Sequence, residues 1–175
     1  IERFGTGAMA SRLIVGTRSL HRELERAIAE WKRTESALVF SSGYAANIGV
    51  LATLGAADVT LFSDELNHAS IIDGCRLAKA RTVVYRHLDL DHLQQLLRQT
   101  VGRKIIVSEA VFSMDGDCAP LQQLAELSVE QGALLVLDEA HAVLGPKLTP
   151  VNGLQVLHVG TLSKTLGALG GFLCG

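Results

Sequence analysis

Ala133-Leu134-Leu135-Val136-Leu137-Asp138-Glu139-Ala140-His141 is the stretch that decides the fold. Five apolar residues with no polar interruption read as a strand covered on both faces, the pattern of a parallel sheet between helical layers. The run then meets Asp138, so a carboxylate leaves the sheet at the strand's carboxyl end. Ionisation there costs free energy unless a cation or a donor faces it. A helix N-cap or a loop acid would account for the same residue.

On either side of this run, short apolar strands alternate with amphipathic helices. Ser19 to Arg33 is expected as a helix, with Leu20, Leu24, Ile28 and Trp31 at near-helical spacing. Further helices are expected from Gly43-Tyr44 to Leu54, His68 to Lys79, Asp89 (as cap) onward with Leu90, Leu93, Leu96 and Leu97 on one face, and Pro120 to Gln131. The strands are Ala37–Phe40, Val59–Phe62, Thr82–Tyr85, Lys104–Ser108, Ala133–Leu137, Val156–Val159 and Gly171–Cys174. A strand and a helix recurring at roughly 30-residue spacing predict an α/β, three-layer α/β/α domain with a mostly parallel sheet. Ligands in such sheets sit beyond the strands' carboxyl ends, here the segments opening at Ser41, Asp64, Ser108, Asp138 and Gly160.

Composition narrows the partners. A net charge of -2 leaves no basic footprint for nucleic acid, and the apolar runs are too short and broken to span a membrane. Cys75, Cys118 and Cys174 are odd in number and lack metal-ligand or C-x-x-C spacing. Small core residues in a reducing, cytoplasmic compartment are expected, and no metal site. Ile1-Glu2-Arg3-Phe4-Gly5 does not read as a signal peptide. Gly170-Gly171-Phe172-Leu173-Cys174-Gly175 reads as mid-domain, so the chain is expected to be a fragment.

Asp138-Glu139-Ala140-His141 allows two chemistries. As a magnesium-binding helicase motif it would need an earlier G-x-x-x-x-G-K-[ST] loop; Gly160-Thr161-Leu162-Ser163-Lys164-Thr165 lacks the second Gly and comes after the acid. The other chemistry pairs Asp138 with a cofactor's pyridine nitrogen, keeping the ring protonated as an electron sink. That needs a lysine within reach, and Lys164 follows a strand among small residues. A loop lysine alone is solvated; in a partly apolar site more of it is free amine, able to form an imine. Ser41-Ser42-Gly43-Tyr44-Ala45-Ala46-Asn47 ends a strand and opens a helix, offering free amides and hydroxyls to an anion. His68 and His141 sit in strand-to-helix loops, where a histidine caps or serves a site about equally well.

Taken together, Gly5-Thr6-Gly7 with Ser11-Arg12, Ser42-Gly43-Tyr44-Ala45-Ala46-Asn47 and Asn67-His68-Ala69-Ser70 resemble the α-oxoamine synthases, pyridoxal-phosphate enzymes of fold type I. So do Glu109-Ala110-Val111-Phe112-Ser113-Met114-Asp115-Gly116-Asp117, Asp138-Glu139-Ala140-His141 and Thr161-Leu162-Ser163-Lys164. The resemblance covers nearly the whole chain. It implies that Lys164 carries pyridoxal 5'-phosphate as a Schiff base and later moves the α-proton. It implies that Asp138 holds the ring nitrogen, His141 the phenolic oxygen with Ser113 nearby, and that His68 stacks on the ring. The amides of Gly43 and Tyr44 and the Thr161 hydroxyl would reach the phosphate, with Ser42, Asn47 and Glu109 lining the cavity.

The implied reaction condenses an amino acid with an acyl thioester on CoA or a carrier protein, loses carbon dioxide and gives an aminoketone. Within the family the likeness is greatest to the biotin-pathway activity that uses L-alanine and pimeloyl-CoA; other α-oxoamine syntheses and fold type I aminotransferases share the lysine and the aspartate. A cytoplasmic homodimer is implied, with residues 1–175 as the cofactor-binding large domain and the family's N-terminal segment and small C-terminal domain absent. The family's Gly-rich loop after Asp-x-x-His is replaced by the shorter, Pro-richer Ala142-Val143-Leu144-Gly145-Pro146-Lys147-Leu148-Thr149-Pro150; either this chain differs from the family there or the loop is truncated across 145–153, so the family's substrate contacts from that loop are not carried over.

Overall fold

The computed structural model describes residue 2 and residues 5–175, so the reading of the opening five residues lies largely outside the described residues. Its centre is a seven-stranded sheet in the order β1-β7-β6-β5-β4-β2-β3. The strands are β1 (Ala37–Phe40), β2 (Val59–Asp64), β3 (Arg81–Tyr85), β4 (Arg103–Glu109), β5 (Leu134–Asp138), β6 (Val156–Thr161) and β7 (Gly171–Cys174). Only β7 runs antiparallel to its neighbours, between β1 and β6. The helices are α1 (Ser19–Lys32), α2 (Gly43–Leu54), α3 (Ala69–Leu77), α4 (Leu90–Arg98) and α5 (Leu121–Glu130).

The period-2 alternation of the central strands sorts the core into two layers. Leu61, Ile105, Val107, Val136 and Val159 face α2 and α3, packing on Val50, Leu51 and Ile71. Phe62, Ile106, Leu135 and Leu137 face the other way, onto Leu93 and Leu97 of α4 and Leu124 of α5. Both faces of the sheet are therefore covered, which is why these strands carry continuous apolar runs. The three-layer, mostly parallel α/β expectation holds.

Several boundaries move. β2, β4 and β6 each run one or two residues further than their apolar runs, so Asp64, Glu109 and Thr161 are strand residues. β5 shifts by one, making Asp138 its last residue, in register with Glu109 and Val159. The sheet's own ladder holds these polar termini, which periodicity ending on the last apolar residue does not anticipate. On α1 only Ile28 of the expected face is fully buried; Leu20, Leu24 and Trp31 stay partly exposed. Cys118 is exposed rather than a core residue, because it lies past the carboxyl end of β4, bridged to Val111 where the chain returns from the turn, while Cys75 and Cys174 are buried. Among the described residues no helix is long and apolar enough to cross a membrane.

The crossover from β5 to β6 carries no helix. It instead drops Leu148 and Leu154 onto the α4/α5 layer and closes with Leu135 N–H donating to Gln155 O at 3.0 Å. At the other edge a single π-helical turn, Arg12–Gly16, is tied to α1 by a bidentate Arg12–Glu25 pair (2.5 and 3.0 Å). Glu25 also accepts the Val39 amide at 3.0 Å, which satisfies part of the edge strand.

Two glycines allow close approach where β6, β7 and α2 meet, Gly171 to backbone and Gly160 to a ring. A Cβ on Gly171 would lie 2.3 Å from the Gly43 nitrogen, and one on Gly160 would lie 2.3 Å from the Phe172 ring. Without those side chains the start of α2 is drawn onto the end of β6. Gly160→Ala should cost about 1–3 kcal/mol by overpacking, read from the midpoint of urea unfolding; an unchanged midpoint would contradict this packing.

Candidate active site

The sheet's carboxyl ends converge on one cluster. Asp138 is 5 % exposed, and each of its oxygens has a donor: the Asn47 side-chain amide to Oδ2 at 2.6 Å and the Ala140 backbone N–H to Oδ1 at 2.8 Å. Burial pushes its pKa up, and those two donors together with the nearby charges of Lys164 and His68 only partly offset the rise. A carboxylate so placed is short of one cationic partner.

Asn47 comes from the first turns of α2 and extends the network. Its amide nitrogen also donates to Ser70 Oγ at 2.9 Å, and Ser70 Oγ lies 2.8 Å from Nδ1 of His68. A chain of side chains thus runs from His68 through Ser70 and Asn47 to Asp138. His68 is the N-cap of α3, its Nδ1 accepting from the Ser70 amide at 3.2 Å, so the capping reading is realised, by a ring that also begins the chain leading to Asp138. Its backbone N–H donates to Glu109 Oε1 at 2.6 Å. Glu109, the register neighbour of Asp138, is 3 % exposed, and burial followed by the Asp138 charge pushes its pKa up to about 7.

Lys164 rides the loop after β6, where Gly167 (φ +62°) turns the chain back so that Ala168 N–H reaches Leu162 O at 2.8 Å. Its Nζ lies 2.6 Å from His141 Nε2. Burial and the Lys164 charge both lower the His141 pKa, against the pull of Asp138, so a neutral ring faces the amine. Thr161, 4 % exposed, places its Oγ1 2.8 Å from Ser163 Oγ and donates to Gly170 O at 3.1 Å. A Cβ on Gly43 would lie 3.2 Å from the Thr161 Cβ, so this hydroxyl borders the start of α2. There Ser42 caps the helix by accepting from Ala45 N–H at 3.1 Å. The amides of Gly43 and Tyr44 make no hydrogen bond among the described residues, and with the helix dipole they form an anion-seeking end.

These residues meet at one end of one sheet. The sequence profile of the family described as aminotransferase class I and II matches residues 1–175. The chain belongs to that family. It is 51% identical over 183 residues to the 8-amino-7-oxononanoate synthase of Lysinibacillus sphaericus, a match covering 99% of this chain and 47% of the relative. The synthase of Anaeromyxobacter sp. (strain K) is 50% identical, covering 99% and 46%. Among solved structures, serine palmitoyltransferase from S. paucimobilis with bound PLP-myriocin aldimine superposes with a TM-score of 0.92 at 36% identity, covering 99% of this chain and 48% of that one. For 8-amino-7-oxononanoate synthase from Francisella tularensis the TM-score is 0.79 at 28% identity, covering 99% and 50%. The chain spans about half the length of the curated relatives it matches. These relatives bear out the α-oxoamine synthase resemblance and the fold type I architecture.

Of the residues singled out from sequence, the structure brings Asn47, His68, Glu109, Asp138, His141 and Lys164 into one electrostatic neighbourhood, with Ser42, Gly43 and Thr161 beside it. Ser113 lies exposed on the turn after Phe112 and makes no hydrogen bond to the others. Tyr44 turns its ring toward α3, donating to Asp73 Oδ2 at 2.5 Å, so only its amide faces the anion end. Sequence reading missed Ser70 as the link between His68 and Asn47; it stands inside the quoted Asn67–Ser70 segment, but only the packing of α3 against α2 reveals it. It also missed Glu139, buried beneath the site and held by Lys32 and by His158 Nδ1 at 3.0 Å.

The raised Glu109 pKa gives a signed prediction for protein without cofactor. Glu109 binds its proton more tightly folded than unfolded, so its contribution is full below about pH 4.5 and is lost as pH rises to about 7. Urea unfolding from pH 4.5 to 8 should show wild-type stability declining relative to Glu109→Gln across that window; parallel curves would contradict the buried position of the carboxyl.

Proposed function

We propose that this chain holds pyridoxal 5'-phosphate, attached through Lys164. The protein it belongs to would then catalyse decarboxylative condensation of L-alanine with pimeloyl-CoA, giving 8-amino-7-oxononanoate, coenzyme A and carbon dioxide. The observation that carries the reading is Asp138, a desolvated carboxylate with one donor on each oxygen and a lysine amine close by. The residues present fit the cofactor: a cation-seeking carboxylate, a primary amine against a neutral imidazole, and a helix start with free amides beside a buried hydroxyl.

When bound, the cofactor supplies a protonated ring able to accept the electron pair released at the amino acid's α-carbon. Asp138 keeps a proton on the ring nitrogen, and Asn47 and the Ala140 amide fix the direction of its carboxylate. Lys164 Nζ would serve as the base for the α-proton, with His141 Nε2, whose pKa is lowered, as its hydrogen-bond partner. His141 and Ser113 are assigned to the phenolic oxygen, and His68 to the ring face, held by the α3 cap. Gly43 N–H, Tyr44 N–H and Thr161 Oγ1 take the phosphate, with the dipole of α2 behind them. Ser42 holds that helix end, and Glu109 anchors the His68 backbone. Residues 1–175 then form the cofactor-binding large domain, and a cytoplasmic homodimer follows from the family resemblance.

A second reading is favoured by one observation. The superposition on serine palmitoyltransferase (0.92) exceeds that on the Francisella tularensis 8-amino-7-oxononanoate synthase (0.79), although sequence identity to the curated synthases is the greater. L-serine with palmitoyl-CoA is therefore the competing substrate pair.

Protein reconstituted with pyridoxal phosphate should absorb in the visible through its lysine imine, and Lys164→Ala should abolish the borohydride-fixed adduct. Thiol release with L-alanine and pimeloyl-CoA should exceed that with L-serine and palmitoyl-CoA by at least 100-fold. The reverse preference would move the assignment to the second reading, and absence of the adduct in wild-type protein would overturn the cofactor.

A further inference from the structure

Outside the cluster, a second histidine is gripped by two acids. His87, in the loop after β3, lies with Nδ1 2.8 Å from Asp64 Oδ1 and Nε2 2.8 Å from Asp117 Oδ2. Asp64 is the buried last residue of β2, and its oxygens also accept the amides of Leu66 (2.9 Å) and Leu88 (3.0 Å). Asp117 closes the turn that follows β4: Phe112 N–H donates to Asp117 O at 3.0 Å and Gly116 N–H to Phe112 O at 2.9 Å. The Phe112 ring meets the imidazole edge-on, 4.5 Å between centroids. Leu88, next to His87, is held in the left-handed region at φ 54°, a conformation that surrounding contacts must impose on a leucine.

A neutral imidazole has one N–H and one lone pair, whereas an ionised carboxylate only accepts. Two ring nitrogens each at hydrogen-bond distance from a carboxylate therefore require two N–H donors, and His87 is an imidazolium. The two amides already donating to Asp64 stand against placing the proton there instead.

We infer that His87 is a positioning residue, a charged latch that fixes the turn carrying Ser113 against the loop carrying His68. The three segments it joins leave the carboxyl ends of β2, β3 and β4, and two of them bear residues of the site. Burial opposes the imidazolium, but the hydrogen bonds to Asp117 and Asp64 and their charges outweigh it, so the His87 pKa is raised. The other charged or titratable groups around it are accounted for. Glu65 accepts the His87 backbone N–H at 2.8 Å, and Arg86 is paired with Asp89 at 2.6 and 2.8 Å. His92 Nδ1 accepts the Arg86 amide, and the Tyr85 phenol behind Asp64 is held protonated by burial. When His87 loses its proton, a lone pair faces a carboxylate and the latch opens. The folded pKa being raised, latching is complete below it for as long as both carboxylates are ionised, and is lost as pH climbs through it.

The consequence for the site rests on the function proposed above; the latch does not. The test therefore has two readouts, both on protein reconstituted with pyridoxal phosphate. Hydrogen exchange of the amides of 111–118, corrected for intrinsic rate, should accelerate at least tenfold in His87→Gln and in Asp117→Ala, with α5 and the centre of β4 unchanged. Wild-type protein should show the same local acceleration on raising the pH, and the variants should not. The imine's spectroscopic titration should also shift in both variants. Unchanged exchange in 111–118, or acceleration spread equally over β4 and α5, would overturn the latch. Asp117 is only half-buried, against 17% side-chain exposure for His87, so its variant decides the matter if His87→Gln fails to fold. An imine absent from every protein would sink the cofactor reading while leaving the exchange result to judge the latch.

Discussion

A carboxylate at the end of an all-apolar strand is the constraint around which the rest is arranged. β5 is buried on both faces because α2 and α3 cover one side and α4 and α5 the other, so Asp138 has little water to solvate it. Leaving a charge there unpaired would cost several kcal/mol. The protein meets part of that cost with the Asn47 amide and the Ala140 N–H and a further part with the cations gathered at the neighbouring strand ends, yet the Asp138 pKa still rises. The incomplete compensation is the functional feature. It leaves a site that gains free energy from holding one more positive charge.

The same economy explains the glycines. Gly171 lets β7 and the start of α2 touch backbone to backbone, and Gly160 leaves room on β6 for the Phe172 ring, which sets the anion-seeking helix end beside Thr161. Larger residues there would separate the helix start from the lysine loop. Sheet register then does the rest, since Glu109 and Asp138 are neighbours and both stand at strand termini.

How much of this could be read from the chain follows from the range of the forces involved. Strand and helix positions were legible because alternation and helical spacing are local, and Leu135, Val136 and Leu137 sort to opposite layers as a period of two requires. The convergence of Lys164, Asp138 and His141 was legible because each follows a strand's carboxyl end, where a sheet of this class gathers its loops. The antiparallel direction of β7 was not, since four residues carry no mark of direction. Neither was the Asp64–His87–Asp117 bridge, whose members come from three separate segments and meet only when β2, β3 and β4 align. The part of Asn47 was half legible: its segment marked a helix opening at the site, but its bond to Asp138 crosses 91 positions of sequence.

Asp138 is proposed to stay ionised and so to hold a proton on a ring nitrogen. That is tested most directly by nitrogen-15 NMR of the protein reconstituted with ring-labelled pyridoxal phosphate. The expected result is a protonated ring nitrogen in wild-type protein across neutral pH and an unprotonated one in Asp138→Asn. An unprotonated ring in wild-type protein, or a ring whose protonation is indifferent to that substitution, would contradict it.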